Sequence, residues 1–137
     1  MNSHLDLNDA DLEKQFKNCS LDPSLFSHEA HIRLAWIHIQ EYGVEKAIVN
    51  LCSQIKSYAK SIGADNKFNL TVTVAAVRAV HHFMQRTNTT GFLQFINENP
   101  VLLTDFKGLI ASHYKTDIFR SEKARFEFLE PELLPFT

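Results

Sequence analysis

Glycine and cysteine are scarce in this sequence, and an excess of basic charge is missing altogether; each shortage closes off a class of function. Only four glycines are present. None forms a phosphate-cradling loop or a dinucleotide fingerprint, so no nucleotide cofactor is expected. The two cysteines, Cys19 and Cys52, have neither CxxC nor metal-type spacing and read as reduced, structural residues. A formal net charge of -2 offers no footprint for nucleic acid. No run of about 18 apolar residues is available to cross a membrane. The opening Met1-Asn2-Ser3-His4-Leu5-Asp6 lacks the positive and apolar regions of a secretory signal, which sets the expectation of a cytoplasmic protein.

What remains is ordinary globular composition, 45% hydrophobic and 22% charged over 137 residues. That length predicts one soluble domain, 1–137, with residues 1–7 flexible and 130–137 an extended tail. The punctuation predicts an all-α single-domain bundle of about five to seven helices. A short helix over 8–19 carries Leu12, Phe16 and Cys19 at helical spacing and ends at Asp22-Pro23-Ser24. Ser27 reads as the cap of a second, central helix running to Tyr42. A third over 44–62 repeats Val44, Ala47, Ile48, Leu51, Ile55, Tyr58 and Ile62 between Gly43 and Gly63. The fourth, 70–86, opens on β-branched Thr71-Val72-Thr73-Val74. A strand competes there, but Thr73, Val77, Val80 and Met84 share one helical side. Shorter helices follow over 92–96, 102–113 and 121–129. Pro131 and Pro135 then force the tail to run extended and lay Leu133, Leu134 and Phe136 on the body.

The chemistry-bearing feature is Phe26-Ser27-His28-Glu29-Ala30-His31-Ile32-Arg33-Leu34-Ala35-Trp36. At about 100° per residue, His28, His31 and His38 fall on the arc of Ile32, Ala35 and Ile39, whereas Glu29, Arg33 and Gln40 fall opposite. His28 and His31, one turn apart, can aim both imidazoles at one divalent transition metal such as zinc, iron or copper. The alternative is a pair of core histidines hydrogen-bonded to backbone and hydroxyls. A metal needs a third ligand, for which His81 is the best candidate, with His113 second. Asn69, Thr71, Thr73, Arg33, His38 and His113 are the candidates to orient the ligands or meet a substrate; for Thr71 and Thr73 capping and back-bonding is the stronger reading. Arg125 is expected to tether the tail through Glu130 or Glu132.

Two familiar signatures fail. His28-Glu29-Ala30-His31 is one residue short of HExxH, and no glutamate has a histidine three residues later, as a di-iron bundle requires.

Three segments together, Phe26-x-His28-x-x-His31-x-Arg33-x-Ala35-Trp36, Lys67-Phe68-Asn69-x-Thr71-Val72-Thr73 and Ala124-Arg125-x-x-Phe128-x-x-Pro131-Glu132, resemble a group of small bacterial helical proteins with no assigned activity. The resemblance covers most of the chain from Phe26 onward. It implies one helical domain with a site near His28 and His31, and no substrate. Its members commonly carry histidine where this chain has Asn69, so an amide stands in that place here.

Two functions are consistent with these residues. One is a metal-binding protein, and potentially a metal-dependent enzyme acting on an unspecified small molecule, built on His28, His31 and His81. The other is a non-catalytic interaction protein or homodimer whose histidines are structural.

Overall fold

The structure, a computed structural model, describes residues 3–136. It is all-helical, with no strand among the described residues. Eight α-helices and three 3₁₀ turns are present in that span, several of them barely a turn long. None of these helices is long and apolar enough to cross a membrane. Where length predicts a single domain, the chain divides into two compact units, one ending at Phe68 and the other beginning at Asn69.

The first unit starts with a 3₁₀ turn, His4–Asp6. Ser3 Oγ accepts from the Leu5 N–H at 3.1 Å, and Asp6 Oδ2 accepts from the Ser3 N–H at 3.3 Å. Residues 3–7, expected to be flexible, are therefore a capped turn with His4 and Leu7 buried. Helix α1, Asp9–Lys17, is capped by Asn8, whose side chain accepts from the Asp11 N–H at 2.8 Å. Helix α2 (His28–Tyr42) follows a 3₁₀ turn at Pro23–Leu25 and is capped by Ser27. Gly43, at φ +86°, supplies the left-handed backbone that lets α2 fold back onto α3, Val44–Ser61. Every residue from Ile32 to Ile39 is buried, so α2 is the central helix of its unit. Phe16, Phe26 and Tyr58 pack with ring centroids 4.8–5.2 Å apart, and the Tyr58 hydroxyl donates to the Leu21 carbonyl at 2.8 Å.

In the second unit, α4 (Leu70–Arg86) holds the central place. Its β-branched opening is helical because Asn69 Oδ1 accepts from the Val72 N–H at 3.0 Å and Thr73 Oγ1 donates back to the Asn69 carbonyl at 2.9 Å. Helix α5 is Phe92–Glu98. The helix predicted over 102–113 is broken into α6, Val101–Thr104, and α7, Phe106–Ala111. Asp105 makes the break: it leaves helical backbone at φ -151°, ψ 55° and turns its carboxylate to cap the Gly108 N–H at 3.2 Å. Helix α8, Glu122–Phe126, packs on α4 and stops short of the predicted 129. The Glu127 N–H still closes the helix on the Lys123 carbonyl at 2.9 Å, but the Glu127 carbonyl and the Leu129 N–H bond to Thr71.

The end of α1 also departs from its periodicity. Cys19 lies outside the helix in left-handed backbone, φ 59°. The Ser20 N–H reaches the Gln15 carbonyl at 2.8 Å and the Cys19 N–H the Phe16 carbonyl at 3.0 Å, the pair of bonds that defines a Schellman end. Glycine is the residue this position favours, and a side chain there is strained. Replacing Cys19 by glycine should raise stability by up to about 1 kcal/mol after the added flexibility of the unfolded chain is discounted. An unchanged or lower urea midpoint for Cys19→Gly would show that the cysteine side chain offsets the strain.

Candidate functional site

Of the sequence-predicted ligands, His28 and His31 are neighbours on the first turns of α2, but they differ in environment. His28, expected to point inward, is exposed: it is the first helical residue, directly after the cap, and the buried stretch begins further on. His31 is half-buried as a residue, with its ring 5.9 Å from that of Phe26. Its Nε2 is shut off from solvent without a hydrogen-bond partner. Burial, with the nearby His28 adding to it, pushes the His31 pKa down to about 4, so its ring is neutral at pH 7.

His38 lies one helical repeat on and is fully buried. Its Nδ1 is 3.4 Å from Asn50 Nδ2 on α3, and its Nε2 has no partner. Burial lowers its pKa too; the Glu13 carboxylate opposes that shift and Lys17 adds to it. His81 is a half-buried residue of α4 in the other unit. Among the described residues, no three His, Cys, Asp or Glu side chains are grouped to hold a metal ion. His28 and His31 are a pair of predicted ligands one turn apart within the first unit.

Arg33 overturns the periodicity most clearly. Expected on the solvent face, it is 6% exposed, because the N-terminal segment covers that side of α2. Its Nη1 donates to the His4 carbonyl at 2.7 Å, its Nη2 to the Leu7 carbonyl at 2.8 Å, and its Nε and Nη2 to Asp9 Oδ1 at 3.2 and 2.8 Å. Nη1 also lies 3.2 Å from His4 Nδ1, while His4 Nε2 is 2.7 Å from Glu29 Oε1. A neutral His4 carrying its proton on Nε2 satisfies both contacts, accepting from Arg33 and donating to Glu29. Glu29, also expected to face water, is drawn into this cluster. His4 and Asp9 belong to a site that helical periodicity does not reveal; the Ser3-x-x-Asp6 capping pattern is the local signal that the segment is ordered.

The second unit has its own cluster, around the start of α4. Thr71, fully buried, donates to the Glu127 carbonyl at 2.7 Å and accepts from the Leu129 N–H at 3.1 Å. Asn69 Nδ2 donates to the Ile118 carbonyl at 2.8 Å. The second and third segments of the family resemblance therefore meet in space, and Asn69, Thr71 and Thr73 bind backbone. Tyr114 donates to the Leu129 carbonyl at 2.8 Å, and burial, with Glu130 and Glu132, pushes its phenol up to about 12.

His113 fixes the tail. The Leu133 N–H donates to the His113 carbonyl at 3.0 Å, His113 Nδ1 is 2.7 Å from the Leu134 carbonyl, and Phe136 stacks on the imidazole at 4.0 Å. Glu132 accepts from the Thr116 hydroxyl at 3.0 Å, and Arg125, expected to tether the tail, lies over the Phe126 ring at 5.0 Å. The tail is extended and docked as predicted, except that Leu133 and Leu134 stay 57% and 53% exposed. The backbone, and not these side chains, makes the attachment. Neither cysteine is bonded, and burial raises the Cys52 thiol to about 11, which keeps it protonated and unreactive. Comparison with known protein families, with characterised proteins and with solved structures finds no match for this chain.

Because His31 is neutral when folded and titrates near 6.5 when unfolded, the unfolded state binds the extra proton between those values. Stability should fall as pH drops from about 6.5 toward 4, by at most about 1.4 kcal/mol per pH unit from this group. His38 acts in the same direction. In urea titrations, His31→Leu should lose less stability between pH 7 and 5 than the parent chain; equal losses would place the titration elsewhere.

Proposed function

We propose that this protein works by association, pairing with a second copy through the apolar residues displayed by its C-terminal tail. The observation that carries this reading is the combination of a fixed backbone with exposed leucines. Asn69, Thr71, Tyr114, Thr116 and His113 all hold the segment from Ile118 to Leu134 in place, yet Leu133 and Leu134 remain more than half exposed. A segment ordered in advance loses little further entropy on binding, so its exposed apolar area converts efficiently into affinity. Phe126, the last residue of α8 and 67% exposed, adds apolar surface in the same stretch of chain.

A second copy is favoured by charge. Lys123 and Arg125 precede the tail and Glu130 and Glu132 lie within it, so a two-fold pairing can set the basic part of one copy against the acidic part of the other. Light scattering on the full chain should give a dimer, and Leu133→Ser combined with Leu134→Ser should give a folded monomer. A parent chain that is monomeric at high micromolar concentration would refute the pairing.

A second reading rests on His31. A neutral imidazole with a sealed, unpartnered Nε2 beside another imidazole suits half of a transition-metal site, for zinc, iron or copper. The rest of the coordination would come from groups other than this pair, since no third His, Cys, Asp or Glu side chain is grouped with it among the described residues. Elemental analysis of untagged protein should then find metal that is lost in both His28→Ala and His31→Ala. Metal-free parent protein removes this reading and leaves His31 as a packing residue.

A further inference from the structure

The second unit contains a cavity of about 400 Å³ whose charged end, at Arg86, takes no part in the association reading or in the histidine pair. Helix α4 presents Ala79, His82, Phe83 and Arg86 to it at helical spacing, α7 and the turn after it supply Leu109, Ser112 and His113, and the tail closes it with Phe136 and its neighbours. The volume lies at the lower end of the roughly 300–1,000 Å³ typical of small-ligand pockets.

Its chemistry is one-sided. Phe83, Leu109 and Phe136 form an apolar wall, and Arg86 supplies a permanent positive charge at the end of α4. No aspartate or glutamate lines the cavity. His113 holds the wall in place, with Nδ1 directed to the Leu134 carbonyl and its ring face on Phe136. The Ser112 hydroxyl donates to the Leu109 carbonyl at 2.6 Å, so it faces a ligand as an acceptor. A guanidinium beside a hydrophobic wall, with no carboxylate competing for it, matches a small molecule carrying one anionic head and an apolar body.

We infer that this cavity binds a small amphipathic carboxylate, its head on Arg86 and its hydrocarbon or aromatic body against Phe83, Leu109 and Phe136. Because the tail forms one wall, binding should also order residues 134–136 further. Leu134 lines the cavity and also belongs to the proposed pairing surface, so the test is read at Arg86, which seats the head and takes no part in the pairing.

The test is an NMR titration of the full chain with octanoate and, in parallel, with octanol, which keeps the hydrocarbon and removes the charge. Octanoate should shift the amides of Phe83, Arg86, Ser112 and Phe136 along one saturating curve, and octanol should bind about tenfold more weakly or worse. Arg86 is exposed, so Arg86→Gln should fold normally and reduce octanoate to the affinity of octanol, while Arg86→Lys should keep part of the difference. Equal affinity for the two probes, undiminished octanoate binding in Arg86→Gln, or no saturable shift at these residues would overturn the inference.

Discussion

A helix buried on every side leaves its polar side chains no access to water, and both units of this protein are organised around that constraint. In the first unit the buried guanidinium of Arg33 finds its partners in the carbonyls of His4 and Leu7 and in Asp9. In the second, the buried hydroxyl of Thr71 finds the Glu127 carbonyl and the Leu129 N–H. In each case backbone groups of a segment distant in the sequence are among the partners, joined in the first unit by the Asp9 carboxylate. An unsatisfied buried polar group costs about 1–3 kcal/mol and a charged one more. The terminal segments are therefore parts of the two cores, because the central helices cannot be buried without them.

The histidines show how one side chain serves different purposes according to its surroundings. His4 bridges a cation and an anion with its two ring nitrogens. His113 offers a ring face to Phe136 and a nitrogen to the tail backbone. His31 and His38 retain sealed nitrogens with no partner, the expensive arrangement, and burial keeps both neutral. An unpaired buried imidazole is where a ligand or an ion would gain most, which is why the His31 neighbourhood supports a metal reading despite its structural setting.

Under the proposed association, the C-terminal tail links stability to recognition. Its attachment uses hydrogen bonds to its main chain and to the Glu132 carboxylate and one aromatic stack, which leaves Leu133 and Leu134 exposed and lets Phe136 wall a cavity. Had the leucines been the anchors, as their hydropathy suggests, the tail would present less apolar surface. Backbone anchoring lets an ordered segment carry side chains whose burial is completed by something else.

The four longest helices were legible from local signals alone. The Ser27 cap, the glycines at 43 and 63 and the 3.6-residue periodicity act between near neighbours along the chain, so they are legible without a fold, and the helices at Asp9–Lys17, His28–Tyr42, Val44–Ser61 and Leu70–Arg86 match them. The same locality made His28 and His31 visible as adjacent imidazoles. Tertiary structure decided which faces are covered. Arg33 is inside and His28 outside because a segment some 25 residues away in sequence lies over one and leaves the other bare. Cys19 sits in left-handed backbone, Asp105 breaks a continuous apolar pattern, and α8 ends early at Thr71, each because a hydrogen bond competes with helix continuation. Periodicity reports how polar a face is. It cannot report which distant backbone groups will arrive to satisfy that polarity, since that depends on chain path and not on any residue's own preference.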